Sequence, residues 1–102
     1  MRALSIRQPF AEQILVGKKR AEYRTVRTDI RERVYIYAGL QLAEGEPEPK
    51  KALPMGVLVG TVEIVGCTGK KGDYSWHLRN PRRLSRPRKP EGRPMPIWFY
   101  PF

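Results

Sequence analysis

The sequence predicts a small, barrel-like α+β domain of five to six short strands with one or two short helices, and three observations carry that prediction. Only Phe10 to Leu15 repeats apolar residues at helical spacing. Most other ordered segments alternate, or run rich in β-branched and aromatic residues, as short strands do. Gly-, Pro- and Asp-containing breaks separate them. One small helix with five or six short strands suggests a compact, barrel-like fold. At 102 residues the chain forms one domain, 1–102, with material for a single core.

Taken in order, Ala3-Leu4-Ser5-Ile6 reads as a first strand with Leu4 and Ile6 on one face. Gln8-Pro9 reads as a helix entry, because proline suits the first helical position. Phe10, Ala11, Ile14 and Leu15 make the apolar stripe, and Gly17 ends it. Two turns are too short to be stable alone, so this helix must dock on the sheet. Ala21 to Arg27 alternates as a strand that puts Glu22, Arg24 and Val26 on one face. Thr28-Asp29 is a turn, and Val34 to Ala38 is the next strand. Leu42 to Pro54 has no apolar period and several prolines, which predicts a surface loop. Gly56 to Val65 is the longest strand signal, with Gly60 marking a bulge or bend. Thr68 to Asp73 reads as a turn-rich loop. Tyr74 to Leu78 reads as ordered, and Arg79 to Pro96 as an ordered basic loop crossing the barrel. Ile97 to Tyr100 closes the fold as a last strand.

Charge is concentrated rather than spread. The net charge is +10, and residues 18–33 hold seven Lys or Arg against three Asp or Glu, while 79–93 hold seven against one. The rest of the chain is balanced, so all the excess lies in two segments, as on a polyanion-binding face. A solvated surface of skewed composition is the plainer alternative. Cys67 is the only cysteine and His77 the only histidine, which excludes an internal disulfide and a cysteine-based zinc site. No metal and no cofactor is expected. No run is long enough to span a bilayer, and the N-terminus lacks the order of a secretory signal. The expected location is therefore cytoplasmic, or nuclear in a eukaryote, with no membrane partner.

Gly17-Lys18-Lys19-Arg20-Ala21-Glu22-Tyr23-Arg24 places four cations and one carboxylate at the junction of helix and strand. Glu22 and Arg24 lie two apart on a strand and can pair, and Lys19 can lean over them from the preceding turn. Within it, Gly17, Lys19, Glu22 and Arg24 form G-x-K-x-x-E-x-R. Together with Leu4 to Ala11, the strand Gly56 to Val62, Asn80-Pro81, Pro90, Gly92, Ile97 and Trp98, this resembles the ASCH domain (activating signal cointegrator homology) of the PUA-like superfamily. The resemblance implies a small PUA-like β-barrel with a cleft beside the first helix, floored by the signature. It also implies nucleic-acid binding, with RNA favoured over DNA.

On that reading Lys19 and Arg24 hold a phosphate or base edge, and Glu22 orients them or accepts a base amino hydrogen. Arg7 and Gln8 line the cleft at the strand-to-helix corner, and Lys18, Arg20 and Arg27 support it with charge. Arg79, Arg82 and Arg83 track phosphates, with Trp76 available to stack a base. Trp98 and Cys67 read as core residues, and His77 as a packed or surface residue. The family also includes small ribonucleases and amidohydrolases that deacylate N4-acetylcytidine, which makes a hydrolase using Lys19 and Glu22 an alternative. The amidohydrolases carry threonine where Glu22 stands, so their nucleophile-like hydroxyl is missing here. A protein-interaction module meeting an acidic partner is a third possibility.

Overall fold

The computed structural model describes residues 1–46 and 51–102; the stretch 47–50 of the expected surface loop lies outside them. In chain order the elements are β1 (Ala3–Gln8), α1 (Phe10–Leu15), β2 (Ala21–Arg24), β3 (Arg33–Leu42), β4 (Val57–Lys70), β5 (Asp73–Arg88) and β6 (Trp98–Phe99). All six strands join one sheet in the order β2-β5-β4-β3-β1-β6. β1 and β3 run parallel, and the other neighbours are antiparallel. A parallel pair needs a crossover, and here α1 and β2 supply it.

The sheet is strongly curled. Laid flat, β5 and β6 would stand four strand spacings apart, about 19 Å at about 4.8 Å each. Yet Trp76 of β5 stacks on Trp98 of β6 with ring centroids 5.8 Å apart. Arg24 of the edge strand β2 likewise reaches the Ser5 carbonyl of β1, at 2.7 Å. The result is a half-barrel whose two edges face each other, which agrees with the small α+β barrel expected from the sequence. β4 and β5 are long enough to bend through three register shifts, at Leu58/Gly60, Thr61/Glu63 and Ile64/Gly66. α1 lays Ala11 and Ile14 into the barrel core beside Leu4, Ile6, Val62 and Trp76. A smaller cluster of Ala3, Tyr37, Leu58 and Phe99 packs separately.

Two expectations need correction. Residues 68–73 are not a loop: β4 runs to Lys70 and β5 starts at Asp73, leaving a two-residue turn in which Gly72 takes φ 86°. Nor is 79–96 a loop throughout, because β5 extends to Arg88. β2 pairs β5 only from Tyr74 to His77, so beyond that point β5 has β4 alone as a neighbour. Prolines are tolerated on such an edge, and charged side chains protect it from pairing with other chains. Pro81 also sits beside the Thr61/Glu63 shift, next to Asn80 at φ 52°, and Pro87 within the Leu58/Gly60 shift. The Pro- and Arg-rich composition that reads as a loop is that of an exposed, bulged edge strand. No helix among the described residues is long and apolar enough to cross a membrane.

Candidate nucleic-acid interface

Gly17 makes the site possible. It adopts φ 81°, a conformation that side chains with a Cβ rarely enter. This lets Lys18 and Lys19 both turn their backbone N–H groups onto the Gln13 carbonyl, at 2.9 and 3.0 Å, and close the helix. Lys19 then leaves the helix end directly above the start of β2.

On β2, Glu22 faces the barrel interior and is buried. Its Oε2 accepts two hydrogen bonds from Arg24, from Nε at 3.1 Å and Nη2 at 2.7 Å. Its Oε1 faces Lys19 Nζ at 3.6 Å. Side-chain exposure is 8% for Glu22, 13% for Lys19 and 19% for Arg24, so this is no solvated surface pair. A charge cluster this dry persists only when its members satisfy one another. The surroundings add to that. Arg24 Nη2 also donates to the Ser5 carbonyl, and its guanidinium lies 5.6 Å from the Trp76 ring centroid. Lys19 Nζ lies over the rings of Phe10 and Tyr23, at 4.7 and 4.5 Å. Two cations held by one carboxylate leave a net positive floor, with aromatic faces and the Ser5 carbonyl fixing its donors.

That floor belongs to an open cavity of about 790 Å³, within the usual range for small-ligand sites. Arg7 and the exposed Tyr23 line it, and Leu40, Met95 and Ile97 supply apolar wall. The far wall is tied to β1: Ser5 Oγ donates to the Met95 carbonyl at 2.7 Å, and Ser5 N–H to the Ile97 carbonyl at 2.9 Å. Tyr37 also lines the cavity, and burial pushes its phenol above the ordinary value. Ser5, Phe10, Tyr23, Leu40 and the 94–97 segment are site residues that sequence reasoning missed. Tyr23 and Phe10 were within reach, since aromatics beside a cationic signature are a stacking signal.

The other expected residues separate into distinct places. Gln8 does not line the cavity. It is fully buried, donating from Nε2 to the Pro54 carbonyl at 3.0 Å and accepting from the Glu12 N–H at 3.0 Å, so it caps α1 from within. Trp76 is not open to a base either: it is 1% exposed, and its Nε1 donates to the Val26 carbonyl at 2.9 Å. It acts instead as the plate behind Arg24. Arg83 reaches over α1 to grip Glu12 with two hydrogen bonds, at 2.8 and 2.7 Å, and these hold the Glu12 carboxyl below its ordinary range. Arg27 pairs with Asp29 at 2.9 Å on the surface. Lys18 and Arg82 are exposed and outside the cavity. Arg20 and Arg79 line a second hollow of about 610 Å³ beyond the helix end. His77 is half-buried and bonded to Thr68 Oγ1 at 2.7 Å, and Cys67 packs against the core.

Among curated proteins none matches the chain. The family model of the ASCH domain matches residues 4–90, which run from within β1 past the end of β5 and contain the whole Lys19, Glu22 and Arg24 floor. The chain therefore belongs to the ASCH domain family.

Proposed function

We propose that this protein binds single-stranded RNA by taking one nucleotide into the cavity floored by Lys19, Glu22 and Arg24. The observation that carries this reading is the floor itself. Two fixed cations share one buried carboxylate beneath a cavity with aromatic and apolar walls. Cationic donors suit a phosphate or a base carbonyl, and the faces of Tyr23 and Phe10 suit the flat body of a base. The surrounding excess of Lys and Arg draws a polyanion in and makes the interaction salt-dependent. Glu22 is engaged by both Lys19 and Arg24, an arrangement that favours holding a ligand over transferring a proton.

Fluorescence anisotropy with a labelled oligoribonucleotide tests the proposal, alongside the deoxy strand of the same sequence. The expected result is tighter binding to RNA than to DNA, with a log-affinity that falls linearly with log salt. Lys19→Ala and Arg24→Ala should each weaken binding about tenfold, the loss of a charge-assisted contact. Unchanged affinity in both variants at low salt would remove the cavity from the account. Incubation with N4-acetylcytidine or unlabelled RNA, followed by chromatography, should return the substrate intact.

A further inference from the structure

The second hollow shares Lys19 with the cavity and is lined in part by the bends of the long hairpin. Its lining includes Val62, Val65, Asn80 and Pro81, residues at or beside the Thr61/Glu63 and Ile64/Gly66 register shifts of β4 and β5. The two shifts swell opposite strands in succession. Bulges at such places commonly re-aim side chains toward a ligand. Arg20 and Arg79 both line the hollow, and the Leu78 N–H donates to the Arg20 carbonyl at 2.9 Å, which ties the backbone before Arg79 to that of Arg20.

Of the three cations in this hollow, Lys19 alone has an ion-pair partner among the described residues, the Glu22 carboxylate at 3.6 Å. Lys19, Arg20 and Arg79 line it and no Asp or Glu does. Arg2, Arg27, Arg33 and Arg83 each face a carboxylate within 4 Å, but Arg20 and Arg79 form no ion pair among the described residues. Both are exposed. Lys19 lines this hollow and the larger cavity alike.

We infer that the hollow between Arg20 and Arg79 is a second subsite, which holds the phosphate of the nucleotide adjacent to the one in the larger cavity. The strand then crosses the protein over Lys19, with one nucleotide on each side. Two guanidinium groups without carboxylate partners suit a phosphodiester, which accepts hydrogen bonds from both. The inference rests on the RNA-binding reading above and extends it to the direction in which the strand runs.

The test is anisotropy with a labelled oligouridylate across a salt series, comparing wild type, R20A/R79A, R20K/R79K and Lys19→Ala, with thermal unfolding confirming that each is folded. One lost phosphate contact predicts that R20A/R79A lowers the magnitude of the salt slope by about 0.7 and the affinity several-fold. R20K/R79K keeps the slope, since the lysines still neutralise that one phosphate. If R20A/R79A keeps the wild-type slope and affinity while Lys19→Ala loses binding, the larger cavity stands and the second subsite falls. If wild type binds no oligouridylate at any salt, both readings fall together.

Discussion

Replacing Glu22 by alanine leaves Lys19 and Arg24 facing each other without the carboxylate that holds them. A solvent-exposed pair would cost about 0–1 kcal/mol on such a change. Removing one partner of a buried pair costs about 3–5 kcal/mol. The geometry places this cluster near the buried case: Glu22 is 8% exposed and accepts two Arg24 hydrogen bonds at 3.1 and 2.7 Å. Lys19 and Arg24 keep some access to water, and Arg24 keeps its bond to Ser5, which brings the expected loss to about 3 kcal/mol. For a domain of this size that lowers Tm by about 12–24 °C. Urea unfolding should show the midpoint falling with the slope unchanged. A cycle of Glu22→Ala, Arg24→Ala and the double variant should return a coupling of about 1–3 kcal/mol. A loss below about 1 kcal/mol with no measurable coupling would return the cluster to the class of solvated surface pairs, and the case for a fixed floor would go with it.

Three further predictions come from positions around the floor. Trp76→Phe removes the Nε1 bond to Val26 and part of the plate behind Arg24, and should cost about 1–3 kcal/mol in urea unfolding. A change near zero would show that the indole is not packed as described. Gly60→Ala drives a methyl group against Leu15 and to 2.5 Å from the Arg82 carbonyl oxygen, where β5 backbone blocks relief. A destabilisation of about 2–3 kcal/mol is expected, and a neutral result would contradict the close β4–β5 approach. Glu12 is held below the ordinary carboxylate range first by its hydrogen bonds from Arg83. A depressed carboxyl stabilises the fold fully above its unfolded pKa, about 4.3, and loses that contribution as pH falls through the folded value. Glu12→Gln should therefore be less stable than wild type by about 0.5 kcal/mol at neutral pH, with the gap closing as acidification protonates the folded carboxyl. A gap that widens on acidification would reverse the assignment.

The Glu22–Arg24 pair was legible because the period of a strand fixes it: residues two apart share a face whatever the rest of the chain does. Gly17 was legible for a similar reason, since a glycine after a helical stripe marks the left-handed turn that delivers Lys19. What the sequence did not disclose depends on distant partners. Gln8 looks like a cleft residue until Pro54, remote in the chain, supplies the acceptor that lets it be buried. Trp76 reads as an available platform until the curl of the sheet brings Trp98 onto it. The 94–97 wall reaches the site only because Ser5 ties it to β1. Residues 79–88 misled for another reason. Proline and arginine are as characteristic of a protected edge strand as of a loop, and composition cannot separate the two.

Amide NMR on isotope-labelled protein, titrated at low salt with a short single-stranded RNA, tests the central claim most directly. The largest shifts are expected on Arg7, Phe10, Lys19, Glu22 to Arg24, Met95 and Ile97, which border one cavity from separate parts of the chain. Shifts confined to the outer edge of β5 around Arg82 to Arg88, with those residues silent, would show that the charge binds RNA without the cavity and would contradict it.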